Sequence, residues 1–260
     1  MSADDRSAFC LGSFSRRRRS KQRLLTTFRA EIVKCKSYRK DKALCEDGPV
    51  CRNADDDKHV IEYAQEKCAN LPVVLHGHSM GGLISLSTVY KDPEWALSHI
   101  KCVIAEAPWI SQCPQKRIGP VTGALIHGVS WIAPNLKIKN DVKFFSDDLD
   151  PKWVQLCQDC PLYSYDITPR LVVSQRAWAS KVHQSVDLWP AQLPLLFLQG
   201  KKDPLVDAIE SDQYITPLSK REGVKVTYKL YEEGSHVMLK SALRPQICHE
   251  ILDFIQNNCK

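Results

Sequence analysis

No stretch of this sequence approaches the roughly 18 consecutive apolar residues that a membrane-crossing helix needs. Its first ten residues, MSADDRSAFC, lack the basic-then-apolar order of a secretory signal. A membrane-spanning or exported chain is therefore not expected. A disulfide framework is also poorly supported: the eleven cysteines are odd in number and scattered from Cys10 to Cys259. Free thiols in a reducing, cytoplasmic setting suit that distribution better. Cys157 and Cys160, in CQDC, have redox or zinc spacing, but no second pair follows and no histidine lies near. Neither a metal nor a cofactor is expected from them.

Charge is unevenly distributed. Residues 1–40 hold 12 Lys or Arg against 3 Asp or Glu, a balance of +9, so the other 220 residues must sum to −3 for the total of +6. Basicity belongs to a leader, read as residues 1–55 and poorly ordered. Its densest part, SRRRRSKQR, contains Arg16–Arg19. Clustered positive charge suits anionic lipid headgroups, RNA or an import receptor. No aromatic interleaving or nucleic-acid module accompanies it, so no nucleic-acid partner is expected. A solvated tail is the plainer reading, with peripheral attachment to an anionic membrane or a lipid droplet as the alternative.

Strands and helices alternate through residues 56–260. DDDKHVIEYAQEKCA, at 55–69, has acidic residues at its start and then helical apolar spacing, which predicts a helix; residues 41–58 read as loop. Short apolar runs predict strands at 71–76, 101–108, 193–200 and 224–231. Helices are predicted from residue 83 to Pro93, over 207–223 despite Pro217, and over RPQICHEILDFIQNN near the C-terminus. The pattern predicts an α/β fold with a mostly parallel sheet covered on both faces. Residues 109–190, mixed in character and caught between two strands, would project as a helical insertion.

One motif carries chemistry. Gly77-His78-Ser79-Met80-Gly81 is a G-x-S-x-G sequence with a predicted strand before it and a helix after it, the context in which a serine hydroxyl is lifted above a sheet. Gly82 would add close packing, and the Met80 amide at the helix start would face a tetrahedral oxyanion. Serine needs a base, and the base an orienting carboxylate. Asp203 after LLFLQGKK and His236 after TYKLYEEGS stand in the right chain order, each beyond a strand end where an open parallel sheet gathers its ligands. Rivals are weaker. Asp207 lies where a helix cap is the ordinary role. His76 lies in a strand, and His78 flanks the nucleophile on the wrong side of the turn. His127 and His183 fall in the insertion, and His59 and His249 on helices.

GHSMGG, FLQGKKDPLVD and YEEGSHVMLK, with CVIAEAPWI and VSWIAPNL between them, resemble the monoacylglycerol lipases, α/β-hydrolases of the S33-like (Hydrolase_4) serine-hydrolase group. The likeness runs from about Asp56 to the C-terminus. It implies an α/β-hydrolase fold with Ser79 as nucleophile, Asp203 as orienting acid, His236 as base and Met80 as oxyanion donor. It also implies a cap over the pocket, here 109–190, that meets a membrane or micelle. Leu125, Ile126, Val129, Trp131 and Ile132 would either form that apolar face or pack onto the body. The implied reaction is hydrolysis of a monoacylglycerol, or a similar lipid ester, to glycerol and fatty acid. Another carboxylesterase, a lysophospholipase or a peptidase of the same fold is the alternative. A peptidase would want an acidic group in the cap for a peptide amine, and Asp147, Asp148 and Asp150 are the carboxylates on offer.

The chain departs from that family before the likeness begins. Members carry a His-Gly loop upstream of the nucleophile that supplies the second oxyanion donor. Here the only His-Gly up to the nucleophile is His76-Gly77, within the nucleophile turn itself. The fold is thus expected to be N-terminally incomplete or divergent, with an open edge on the nucleophile strand, TTFRAEIVKCKSY supplying at most one edge strand. Losing one oxyanion donor costs about 10²–10³ in turnover. A non-catalytic binding protein with a degenerate site, docking through its basic leader, is the reading from outside enzymology.

Overall fold

The computed structural model describes residues 48–69, 71–139, 149–160 and 166–259. The basic cluster, the TTFRAEIVKCKSY segment, Asp147 and Asp148 lie outside them. The described residues belong to one compact unit, Asp41–Lys260.

Four parallel strands make the central sheet. They are β1 (Val74–His78), β2 (Cys102–Glu106), β5 (Leu195–Gly200) and β6 (Val226–Tyr231), side by side in the order β1-β2-β5-β6. The middle pair is buried along its whole length, which is why both segments read as continuous apolar runs rather than alternating ones. Their side chains still divide by the strand period of two. Val103, Ala105, Leu195 and Phe197 face one layer, and Cys102, Ile104, Leu196 and Leu198 face the other. The first layer is filled by helices α2 (Met80–Lys91) and α7 (Ala208–Ser219), through Leu83, Leu86, Tyr214, Ile215 and Leu218. The second is filled by α8 (Arg244–Asn258), through Ile247 and Phe254. The chain has the α/β-hydrolase fold with a mostly parallel core sheet. Among the described residues β1 pairs on one side only.

Helix α1 runs over Pro49–Lys67, six residues earlier than the acidic run suggested. The physical cause is the proline. Pro49 stands in the first turn, where its missing N–H costs nothing, and Val50 N donates instead to Ser174 Oγ at 3.1 Å. The acidic residues are mid-helix partners of α2. Asp55 meets Lys91 at 2.5 Å, and Asp57 accepts from Thr88 at 3.3 Å. Burial pushes the Asp57 carboxyl up to about 6. Pro93, read as a helix end, is also a helix start: α3 covers Pro93–His99, with Asp92 accepting from Trp95 N at 3.1 Å as its cap.

Between β2 and β5 come helices α4 (Pro120–Ile132), α5 (Pro151–Gln158) and α6 (Pro169–Gln184), with a two-stranded antiparallel pair, β3 (Ile138–Lys139) and β4 (Asp166–Ile167), that the sequence did not signal. Helix α6 buries Val172, Val173, Trp178, Ala179 and Val182. Helix α4 packs against α6 and divides its apolar residues. Ile126 and Val129 are half-buried, whereas Leu125, Trp131 and Ile132 are 65, 63 and 89% exposed. One helix thus holds both half-buried and exposed apolar residues. No helix among the described residues is long and apolar enough to cross a membrane.

The glycines after Ser79 offer a test of this packing. A Cβ on Gly82 would lie 2.9 Å from Pro108 Cα, whereas a Cβ on Gly81 meets nothing within 4 Å. Gly82→Ala should lower stability by about 1–3 kcal/mol through overpacking. Gly81→Ala should change it by less than about 1 kcal/mol. Urea-unfolding midpoints of the two variants measure this, and equal midpoints would contradict the packing described.

Candidate active site

Ser79 sits between β1 and α2 with φ 55° and ψ −118°, a left-handed conformation that a non-glycine residue holds only when its surroundings impose it. The surroundings are specific. Ser79 N donates to Glu106 O at 2.9 Å, and Ser79 O accepts from Leu83 N at 3.1 Å and Trp109 N at 2.9 Å. Gly77 is required because a Cβ there would stand 2.2 Å from Gly81 O. Met80 opens α2, so its amide is among the first helical N–H groups that no carbonyl within the helix takes.

Asp203 and His236 arrive on the loops after β5 and β6. These loops run against each other through Lys201 N to Tyr231 O and Lys202 N to Gly234 O, both 2.9 Å. Their approach depends on Gly200, where a Cβ would meet the carbonyls of Gly234 and Ser235 at 2.4 Å. The result is a continuous hydrogen-bonded chain: His236 Nδ1 lies 2.8 Å from Asp203 Oδ2, and His236 Nε2 lies 2.8 Å from Ser79 Oγ. A carboxylate accepts only, so Nδ1 carries the proton and the Nε2 lone pair faces the serine hydroxyl. Asp203 Oδ1 accepts from Leu205 N at 2.8 Å and Val206 N at 2.9 Å. The Asp203 side chain is wholly buried and that of His236 almost so. A hydroxyl, a correctly oriented imidazole and a buried carboxylate in this order can activate the hydroxyl as a nucleophile.

The structure brings Ser79, Asp203 and His236 together and puts Met80 beside the first. The rival residues have other partners. Asp207 caps α7 by accepting from Ile209 N at 2.9 Å and pairs with Arg117 at 2.9 Å. His183 meets Ile110 O at 3.2 Å. His127 is exposed, and His59 and His249 make exposed pairs with Glu62 and Asp253. Asp150 is an N-cap, accepting from Lys152 N at 2.9 Å. His78 is closer to the chemistry than its sequence position suggested. Its Nε2 donates to His236 O at 2.8 Å, and its ring lies 4.9 Å from the His236 ring. Burial pushes the His78 imidazole below its ordinary value, outweighing the opposite pull of Glu106. Two contacts escaped the sequence reading. Glu106, buried at the end of β2, accepts from Leu239 N at 3.3 Å and so holds the loop after His236; Gln199 stands behind Asp203. A lone polar residue closing an apolar strand run was the available signal for each.

Two clefts are present, and neither is lined by Ser79, Asp203 or His236. One of about 480 Å³ reaches Trp109 and His183, and one of about 340 Å³ lies between α4 and α6; Ile118 and Arg176 line both. Cys157 and Cys160 are free thiols, and no group of three or more metal-ligating residues occurs among the described residues.

Residues 50–241 match the family model described as serine aminopeptidase, S33 (Hydrolase_4). No curated protein matches the sequence. Similar solved structures include a monoacylglycerol lipase from Paleococcus ferrophilus, with 19% identity, TM-score 0.64, and coverage of 79% of this chain and 76% of that one. A soluble variant of the Saccharomyces cerevisiae monoglyceride lipase gives 16%, 0.67, 79% and 69%. A thermostable carboxyl esterase from Bacillus coagulans gives 16%, 0.64, 82% and 73%. At these identities the likeness is one of fold.

The lowered His78 has a consequence for stability, shared by His183, whose imidazole burial also pushes down. In the unfolded chain both return to about 6.5. Below that pH the unfolded state binds protons that the folded state refuses, so stability falls as pH falls. Asp57, raised by burial, contributes in the opposite sense below about pH 6. Urea midpoints at pH 7.5 and 5.5 should therefore differ less in His78→Gln than in the parent chain. Parallel declines would contradict a half-buried His78 whose imidazole is pushed below its ordinary value.

Proposed function

From the premise that the chain belongs to the S33 (Hydrolase_4) family of α/β-hydrolases, we propose that it is a serine hydrolase of carboxylic esters. The observation that carries this reading is the pair of 2.8 Å contacts linking Asp203, His236 and Ser79. In the reaction His236 Nε2 takes the Ser79 proton as Oγ attacks the ester carbonyl. Asp203 Oδ2 stabilises the imidazolium through its Nδ1 proton, and the Met80 N–H stabilises the tetrahedral oxyanion. His236 then returns the proton to the departing alcohol. Water activated by the same imidazole releases the acid from the Ser79 acyl-enzyme.

Esters are favoured over peptides by the state of the carboxylates. Glu210, beside the larger cleft, and Asp207 are both engaged by Arg117, and Asp150 is committed to its helix cap. Of the carboxylates weighed for a peptide amine only Asp150 lies among the described residues, and it carries another duty, as do the two acids held by Arg117, which argues against recognition of such an amine. The apolar outer side of α4, with Leu125, Trp131 and Ile132 exposed, supports a lipid ester presented at an interface. A monoacylglycerol is the narrower proposal within that class, its long acyl chain leaving as the fatty acid.

The test uses the full chain and a fluorophosphonate probe. The parent chain should label at Ser79, while Ser79→Ala should not and His236→Ala should label at least about 10⁴-fold more slowly. Absence of labelling in a folded sample would sink the reading in favour of a binding protein. Ester hydrolysis should also depend on presentation. A Trp131→Ser, Ile132→Ser double variant should lose several-fold on micellar monoacylglycerol and keep its rate on a soluble short-chain ester.

A further inference from the structure

Gln199, the penultimate residue of β5, is wholly buried, and its amide makes three hydrogen bonds. Nε2 donates to Gly200 O at 3.0 Å and to Asp203 Oδ2 at 3.3 Å, and Oε1 accepts from Ser211 Oγ at 3.1 Å. A carbonyl and a carboxylate can only accept, so the NH₂ end of the amide must point at them. Ser211 lies in α7, is fully buried, and must then donate its hydroxyl proton to Oε1. The orientation of each group follows from its neighbour, with no freedom left.

The Asp203 oxygen that Gln199 contacts is the one that faces His236. With two backbone donors on Oδ1, and His236 and Gln199 on Oδ2, the carboxylate receives four donors for its roughly four acceptor sites. A side chain so held cannot swing away when the imidazole turns toward substrate. We propose that Gln199 is a positioning residue for the Ser79 reaction. It fixes the Asp203 carboxylate for His236, and Ser211 on α7 fixes Gln199 in turn. This role rests on the hydrolase reading above. It gives the core helix α7 a part in catalysis although α7 supplies no group to the reacting atoms.

Two measurements test it. The first is the limiting rate of Ser79 phosphonylation by a fluorophosphonate, separated from probe affinity. A hydrogen bond to a charged group is worth about 1.5–3 kcal/mol. Gln199→Met, which keeps the volume and removes the amide, should therefore slow the limiting step by about 10- to 100-fold with affinity unchanged. Ser211→Ala should move it in the same direction by less, and Ser211→Thr, which restores a hydroxyl, should return toward the parent rate. The second is the nuclear magnetic resonance signal of the His236 Nδ1 proton, which needs no turnover. It should be displaced or broadened in Gln199→Met and, more weakly, in Ser211→Ala. If Gln199→Met does not fold, Ser211→Ala and Ser211→Thr carry both tests. A folded variant with parent-like rate and an unmoved proton signal would overturn the role of Gln199. A parent chain that is not phosphonylated at all would instead overturn the hydrolase reading, with the proton signal still deciding whether Gln199 and Ser211 hold the Asp203–His236 pair.

Discussion

Burying a carboxylate is costly unless donors surround it, and Asp203 is where this structure meets that demand. Its side chain is sealed from solvent. Two backbone amides, one imidazole and one amide side chain converge on it from the loop after β5, the loop after β6 and the end of β5 itself. None of these donors belongs to the serine, yet all of them determine whether His236 points at it. The site is built outward from its most deeply placed charge.

Two close backbone approaches make that convergence attainable. Gly200 lets the strand that leads to Asp203 lie against the carbonyls of the loop carrying His236, and Gly77 lets the turn at Ser79 close on Gly81 O. In each case a methyl group would occupy space already filled by a carbonyl oxygen, and backbone cannot rotate aside as a flexible side chain can. The glycines thus serve distance rather than conformational freedom. Positive φ is found instead at Ser79, and at Ala107 with φ 41°, residues that have a Cβ and bear the strain. Such strain persists where neighbours over-determine it, as the three backbone hydrogen bonds of Ser79 do.

The motifs at Ser79, Asp203 and His236 were legible because they depend on local order along the chain: an apolar run, a turn, then a polar residue at a strand end. Strands β2 and β5 were legible for the same reason. The start of helix α1 was misplaced because Asp55, Asp56 and Asp57 look like first-turn charges, while Lys91 and Thr88, the partners of Asp55 and Asp57, lie on another helix that spacing alone cannot bring near. Proline was read as a terminator. Yet Pro49, Pro93, Pro120, Pro151 and Pro169 each stand in the first turn of a helix, as the residue's fixed φ and missing donor allow. Gln199 and Glu106 escaped because their roles are set by what faces them across strands and loops. The two fates of the α4 apolar residues needed the position of α6, which no periodicity contains.

Among the described residues β1 has a neighbour on one side only, and a strand so placed holds the turn at Ser79 with one partner instead of two. The contacts on that side suffice to fix it. Ser79 N donates to Glu106 O, Trp109 N donates to Ser79 O, and Lys101 N donates to Val73 O, so strand and turn are tied to β2 and to the segment that follows it. Gly82 closes on Pro108 in that same segment, and β2 is itself locked between β1 and β5. Asp203 and His236 also reach the serine from the β5 and β6 side. The restraints on Ser79 that come from other strands and their loops therefore lie, within the described residues, on one flank. A chain that diverges from its relatives ahead of β1 can still hold these three side chains in register. Under the hydrolase proposal, divergence there would bear on the second oxyanion donor, and so on the rate, and would leave Ser79 in place as the nucleophile.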